Sequence, residues 1–100
     1  MPQWGAMIMS FEQQVVAEIE KIVTSNYPIW TIGITRDPAS RSMEHGNPDI
    51  WYEWAVTPAA SSENIERYFV SKGMRVGSCA VGGAGYIYIF IASKLKELNQ

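Results

Sequence analysis

The segment from Trp30 to His45, WTIGITRDPASRSMEH, constrains the local structure more than any other part of the chain. Its first half alternates apolar residues with small or hydroxyl-bearing ones, which predicts a strand with two unlike faces. The apolar face holds Trp30, Ile32 and Ile34, and the other holds Thr31, Gly33 and Thr35. Because the second face is lined by hydroxyls and bare backbone, we expect it to be open to approach.

A short helix is predicted directly after this strand. Asp37 is a good N-cap, and Pro38 suits the first helical position because its missing N–H would have had no partner there. The helix is expected to run to about His45, and Gly46 is placed to end it. Arg41 and His45 stand four positions apart and therefore share a face of the helix. Taken alone, they fit a solvated arginine and a histidine that interacts with the helix dipole.

Length and composition predict a single domain over residues 1–100, with a flexible N-terminus over residues 1–9. With 47% hydrophobic and 18% charged residues, the chain is typical of globular proteins. It lacks both a membrane-length apolar run and the basic, apolar start of a signal peptide, so we expect a soluble, cytoplasmic protein. The single cysteine, Cys79, rules out an internal disulfide and a cysteine cluster for zinc.

Periodicity predicts five further elements around the strand and helix. They are a helix from the Ser10 capping box to about Asn26, a strand over Ile50–Val56, a helix capped by Ser61 or Ser62 and stopped by Gly73, a strand over Tyr86–Ile91, and a short helix or frayed tail over 92–99. The last strand is apolar or aromatic on both faces, which predicts a central position in its sheet. The order α-β-α-β-α-β predicts an α+β domain, a small three-stranded sheet covered by helices.

Five residues of the first strand and helix follow a spacing known from one nuclease family. The pattern G-x-T-x-D-x-x-x-R-x-x-x-H is filled by Gly33, Thr35, Asp37, Arg41 and His45. With this spacing, the chain resembles the GIY-YIG nuclease superfamily. The resemblance implies a GIY-YIG-like fold and a metal-dependent endonuclease that cleaves phosphodiesters.

The resemblance also assigns roles to individual residues. Arg41 would contact the scissile phosphate, and His45 would act as a second donor or a proton relay. Glu66, in SSENIERYF, looks like the family glutamate that holds one divalent metal, Mg²⁺ or Mn²⁺, and Glu63 is the alternative. Without the resemblance, each glutamate fits an exposed helix carboxylate, because one carboxylate is a weak metal signal.

Two departures from the family pattern shape the expected site. Thr31 stands where the family has a tyrosine, and the strand with the family's first signature tyrosine is absent upstream. We expect the C-terminal strand Gly85–Phe90 to take its place, as a circular rearrangement of the topology. Tyr86 or Tyr88 would then lie beside the first strand, reach the Arg41 face and activate or orient water. Residue preferences alone favour these tyrosines as core aromatics.

Net charge and the aromatic residues leave three classes of function open. A formal charge of −2 argues against binding nucleic acid mainly by electrostatics, so we expect such binding to be weak or partner-assisted. The first class is a small GIY-YIG-type nuclease, and the second is a catalytically inactive relative that binds nucleic acid or protein. The third is a protein-interaction or homodimerisation module, because the WYEW segment at 51–54 carries residues that often anchor interfaces.

The glycine-rich segment GSCAVGGAG, residues 77–85, also bears on phosphate binding. Glycines let backbone N–H groups approach an anion, so the segment could cradle a phosphate. It is not a Walker motif, because no Lys-Ser or Lys-Thr follows the glycines and a strand rather than a helix comes next. A flexible connection between elements is the interpretation we favour.

Overall fold

The strand and helix predicted from the segment Trp30–His45 form as expected. The computed structural model describes residues 11–77 and 85–92. Its elements, in chain order, are α1 (Phe11–Val23), a 3₁₀ turn (Tyr27–Ile29), β1 (Thr31–Thr35), α2 (Pro38–Glu44), β2 (Ile50–Ala55), α3 (Ala60–Lys72), β3 (Arg75–Val76) and β4 (Tyr86–Ile91). The Asp37 side chain caps α2 as predicted, by accepting a hydrogen bond from the Ser40 N–H.

The strands form one mixed sheet in the order β2-β4-β1-β3. β4 is antiparallel to both β1 and β2, whereas β3 is parallel to β1. This confirms the α+β class and the central position of the Tyr86–Ile91 strand. It also confirms that this strand lies beside β1, where Gly33 pairs with Tyr88 and Thr35 pairs with Tyr86.

The predicted three-stranded sheet and its element order are wrong by one strand. After Gly73 the chain extends beside β1, where the Arg75 N–H donates to the Trp30 carbonyl at 3.0 Å and the Gly77 N–H donates to the Ile32 carbonyl at 2.8 Å. The described part of the chain therefore runs α-β-α-β-α-β-β. A two-residue strand shows no alternation in the sequence, because a period of two needs four or more residues to be visible.

The predicted start of α3 is also corrected. Ser61 and Ser62 lie inside the helix and are buried, and the N-cap position belongs to Ala59, which makes no side-chain cap. The Ser62 hydroxyl donates to the Ala59 carbonyl at 2.7 Å, so its polar group is satisfied locally. The end of the helix is as predicted. Gly73 has a φ of 121°, a backbone conformation that side-chain-bearing residues rarely adopt.

The hydrophobic core lies on one face of the sheet, which we call the helix face. α1 and α3 cover this face. Its buried side chains are Val15, Ile19 and Val23 from α1, Ile65 and Phe69 from α3, Ile32 and Ile34 from β1, and Ile87 and Ile89 from β4, together with Trp30, Val56 and Met74. Their alternation along β1 and β4 leaves Gly33 and Tyr88 on the opposite face.

A carboxylate on α1 ties this helix to the 3₁₀ turn and to α3. Glu20 accepts hydrogen bonds from the Tyr27 hydroxyl at 2.6 Å and from the Tyr68 hydroxyl at 3.2 Å. The hydrogen bond to Glu20 raises the pKa of Tyr27 to about 12, because the carboxylate stabilises the protonated phenol. These contacts join the two helices that cover the core.

Several predictions concern residues outside the described ranges. They are the Ser10 capping box, the flexible N-terminus over 1–9, the central part of the glycine-rich segment including Cys79, and the C-terminal helix or tail beyond residue 92. Among the described helices, none combines the length and the apolar character that crossing a membrane requires.

Candidate functional site

The face of the sheet opposite the core carries a group of rings in contact with one another, which we call the aromatic face. It consists of His45, Trp51, Tyr88 and Phe90. The Trp51 and Tyr88 rings are nearly parallel, at 11°, with their centroids 4.6 Å apart. The His45 ring lies 4.6 Å from Phe90 and 5.7 Å from Tyr88. α2 leads to this face, because His45 is the residue that ends the helix.

A small hydrogen-bond network lies under the rings. The Tyr88 hydroxyl donates to the Gly77 carbonyl at 2.9 Å, and His45 Nε2 lies 3.0 Å from the same oxygen and 3.2 Å from the hydroxyl. A carbonyl oxygen can only accept, so the contact with Gly77 requires a proton on Nε2 of His45. The network joins the end of α2 to β4 and to the residue after β3.

Two glycines make room for the Tyr88 phenol. A Cβ on Gly33 would overlap the Tyr88 hydroxyl oxygen and ring. A Cβ on Gly77 would lie 3.2 Å from the Tyr88 hydroxyl oxygen and 2.6 Å from the Thr31 methyl. The prediction that this face of β1 is open to approach is therefore wrong at Gly33. The missing side chain admits a phenol from the neighbouring strand instead of a ligand.

A separate opening lies where β1 ends and α2 begins, and we call it the Arg41 pocket. It has a volume of about 250 Å³. Its lining residues are Thr35, Arg36, Asp37, Ser40, Arg41 and Glu44. Two arginines and two carboxylates thus share the pocket with two hydroxyl groups, so its formal charge is balanced.

The turn into α2 holds one wall of this pocket in place. The Asp37 N–H donates to the Thr35 hydroxyl at 3.0 Å, and the Asp37 carboxylate accepts from the Ser40 hydroxyl at 2.9 Å. The hydrogen bonds from Ser40 lower the pKa of Asp37, because they favour the ionised carboxylate. The conformation of the turn is therefore set by Thr35 and Asp37 of the sequence pattern together with Ser40, a position that the pattern leaves open.

Arg41 forms an exposed ion pair inside its own helix. Its Nη1 lies 2.9 Å from Glu44 Oε1, and the two side chains keep 27% and 62% of their surface exposed. Exposed pairs of this kind contribute only about 0.2–1 kcal/mol to stability. A stronger anionic ligand can therefore replace Glu44 as the partner of Arg41 at little cost.

The predicted site residues fall into three places. His45 and Tyr88 meet in the network on the aromatic face, where Tyr88 is 0% exposed. Arg41 instead lines the pocket, so its side chain has a different partner from that of His45. Tyr86 is half-buried and pairs with Thr35, which lines the same pocket.

Glu66 and Glu63 lie on α3, which covers the helix face and so packs on the side of the sheet opposite Tyr88. Both are half-buried. β1 and β2 are parallel to each other, since both are antiparallel to β4, and α3 begins after β2 ends. The first turns of α3 therefore lie toward the same end of the strands as the Arg41 pocket.

Two residues that contact Tyr88 were not predicted from the sequence as part of the site. Trp51 was considered only as a residue of the WYEW segment that could anchor an interface, yet it stacks on Tyr88 and Phe90. Gly77 was expected only as part of a loop. The alternation of β2 indicates which face Trp51 occupies, but no local pattern indicates that the Gly77 carbonyl accepts from Tyr88.

The comparisons with protein-family models, with curated proteins and with solved structures find no match to this chain. Within residues 11–77 and 85–92, no three His, Cys, Asp or Glu side chains come together as a metal site.

Proposed function

We propose that this chain is a GIY-YIG-like domain that binds a phosphodiester of nucleic acid at the Arg41 pocket and cleaves it with a divalent metal. The observation that supports this best is the position of Arg41. It lines an opening at the end of β1 together with Thr35 and Asp37, two other residues of the family pattern. Tyr86, on the adjacent strand, pairs with Thr35 at the same end of the sheet.

Arg41 suits a phosphate by its chemistry as well as its place. A guanidinium donates two parallel hydrogen bonds to phosphate oxygens, and such charge-assisted bonds are stronger than neutral ones. The competing pair with Glu44 is exposed and weak, so a phosphate would displace the carboxylate. Since the pocket also holds two carboxylates, we expect modest affinity with few phosphate contacts.

Tyr86 is the better candidate of the two tyrosines for a role in proton transfer. Tyr88 is fully buried, and its hydroxyl is occupied with the Gly77 carbonyl. Tyr86 is only half-buried, and it pairs with Thr35, a residue that lines the pocket. We assign His45 the role of holding Tyr88 and the end of α2 in place, rather than that of a proton relay.

The metal remains a proposal that rests on Glu66. Mg²⁺ keeps several waters and is commonly held by one or two carboxylates together with substrate phosphates, so one half-buried glutamate fits this chemistry. When bound, the metal would neutralise charge that develops on the phosphate. Since the described residues offer no three-ligand cluster, we expect weak metal binding in the absence of nucleic acid.

The pocket is tested by binding of fluorescent single-stranded and branched DNA and RNA oligonucleotides, measured by anisotropy without metal. Arg41→Ala should weaken binding about ten- to a hundredfold, since a charge-assisted bond contributes about 1.5–3 kcal/mol. Glu44→Gln should tighten binding, because it removes the competing carboxylate. The matched control is Arg67→Ala, which removes an equal charge from an exposed position on α3. Equal losses of affinity for Arg41→Ala and Arg67→Ala would refute phosphate binding at the Arg41 pocket.

Cleavage is tested separately with Mg²⁺ and Mn²⁺ on the same oligonucleotides. Tyr86→Phe should reduce cleavage and leave binding unchanged. A metal titration followed by NMR should saturate in the wild-type chain and disappear in Glu66→Gln, with Glu63→Gln as the control. Binding that depends on Arg41 without any cleavage would favour the catalytically inactive relative instead.

A further inference from the structure

The two outer edges of the sheet differ in their capacity to pair with another strand. The β3 edge has only two residues, Arg75 and Val76. Short strands and charged residues are common protections of a sheet edge. β2 forms the opposite edge with six residues, and its Ile50 and Tyr52 side chains remain 43% and 42% exposed. β2 is therefore the less protected of the two edges.

The alternating hydrogen bonds between β2 and β4 show which backbone groups of β2 face away from β4. The Val56 N–H donates to the Gly85 carbonyl at 2.8 Å. Bonding alternates along an antiparallel pair, so Tyr52 and Trp54 also direct their backbone groups to β4. Trp51, Glu53 and Ala55 consequently direct their N–H and carbonyl groups away from β4. In the described sheet, β4 is the sole neighbour of β2.

We propose that this edge pairs antiparallel with β2 of a second copy of the chain, around a two-fold axis at Tyr52. In a continuous antiparallel sheet, residues directly opposite each other point to the same face. Because faces alternate along a strand, two identical strands can meet this condition only if the two-fold axis passes between two equivalent residues, one from each copy. With the axis at Tyr52, Trp51 of each copy lies opposite Glu53 of the other. Both residues have outward backbone groups, so these pairs can exchange hydrogen bonds across the edge.

Charge selects this register over its neighbours. An axis at Glu53 would place the two Glu53 carboxylates opposite each other, and an axis at Trp51 would place Glu53 opposite Asp49. Like charges directly opposite are destabilising. With the axis at Tyr52, Glu53 instead meets an indole N–H. Within one chain, Trp51 Nε1 already donates to Glu53 Oε1 at 2.7 Å, and the same donor and acceptor can bond between copies.

The helix face of β2 gains apolar pairs in the same register. Ile50 lies opposite Trp54 of the second copy, and the two Tyr52 side chains lie opposite each other. Residues directly opposite have Cβ atoms about 4.5–5.5 Å apart, which is close enough for apolar side chains to pack. The exposed surface of Ile50 and Tyr52 would therefore be covered by association. This inference is independent of the proposed phosphodiester site.

The first test is disulfide cross-linking of the full chain in a Cys79→Ser background. Tyr52→Cys should link to itself, because opposed residues that are not hydrogen-bonded have Cα atoms about 4.5 Å apart, within disulfide range. Glu53→Cys should not link, since its two copies are diagonal neighbours at roughly 7–8 Å. A covalent dimer of Tyr52→Cys in a glutathione redox buffer, seen by mass spectrometry, supports the proposal. Preferential linking of Glu53→Cys overturns it.

The second test is sedimentation equilibrium of the chain without added cysteines. Wild type should associate with increasing concentration. Glu53→Pro should be monomeric and folded, because its lost N–H faces outward and makes no bond to β4. Glu53→Gln, which keeps both the N–H and an acceptor, should still associate. A wild-type chain that stays monomeric up to millimolar concentration, or a Glu53→Pro variant that associates normally, overturns the proposal. If Glu53→Pro fails to fold by circular dichroism, the cross-linking result decides.

Discussion

Replacing Gly33 with alanine should destabilise the domain through one contact, that with the Tyr88 phenol. The new Cβ would overlap the hydroxyl oxygen and ring carbon of Tyr88 and lie 2.9 Å from a second ring carbon. The phenol has little room to move. Tyr88 is 0% exposed, its ring stacks on Trp51 at 4.6 Å, and its hydroxyl donates to the Gly77 carbonyl.

The expected loss follows from three contributions to the free energy of unfolding. Inserting a carbon into a packed interior costs about 1–3 kcal/mol. If the Tyr88 ring is pushed aside, its hydrogen bond to Gly77 is lost as well, at about 0.5–1.5 kcal/mol. Alanine in turn stabilises the strand by about 0.5–1 kcal/mol, because glycine loses more conformational freedom than alanine on folding. Gly33→Ala should therefore lower the free energy of unfolding by about 0.5–4 kcal/mol.

Urea denaturation followed by tryptophan fluorescence measures this change, which should appear as a lower midpoint at an unchanged slope. Gly85→Ala is the matched control, because no heavy atom lies within 4 Å of the position its Cβ would take. That substitution should leave the midpoint nearly unchanged. If Gly33→Ala proves as stable as Gly85→Ala, the close packing of the phenol on β1 is wrong.

Three further changes test other parts of the structure. Tyr88→Phe should lower the free energy of unfolding by about 0.5–1.5 kcal/mol in urea titrations, and a larger loss would mean that the Gly77 carbonyl has no other donor. The pKa of Tyr27 is raised to about 12 by its bond to Glu20, so the unfolded chain loses this proton first and stability should fall as pH rises from 10 to 12. Tyr27→Phe should make that fall shallower in denaturation measured across this range, and an unchanged slope would contradict the assignment. Because the pKa of Asp37 is lowered, the contribution of its ionised carboxylate to stability is present above pH 4 and lost as pH falls further. Asp37→Ala should therefore reduce the thermal midpoint, measured by calorimetry, more at pH 7 than at pH 3.

The elements that were predicted correctly depend on local patterns. Alternation places β1 and β2 within a residue or two of their bounds, and a continuous apolar run places β4. Asp37 and Gly73 mark helix ends through side-chain capping and backbone freedom. Where local signals compete or are too short, prediction fails. The two serines of α3 resemble N-caps but lie inside the helix, and β3 is too short to show a period.

The candidate site could be predicted only in part. The spacing from Gly33 to His45 indicates that Arg41 and Asp37 lie near the end of one strand, because neighbours in sequence remain neighbours in space. The separation of Arg41 from His45 depends on longer-range contacts. His45 is drawn to Tyr88 and the Gly77 carbonyl, whereas Arg41 pairs within its own helix.

By itself, the sequence determined that β1 has one apolar face and one bare face, and that a capped helix follows it. Only the tertiary structure decided what covers the bare face. β4 comes much later in the chain, and its register with β1 places Tyr88 directly opposite Gly33. That register depends on burying Ile87 and Ile89 against α1 and α3. A one-residue shift would turn these isoleucines away from the core, so the packing of distant elements, rather than any local pattern, fills the space at Gly33.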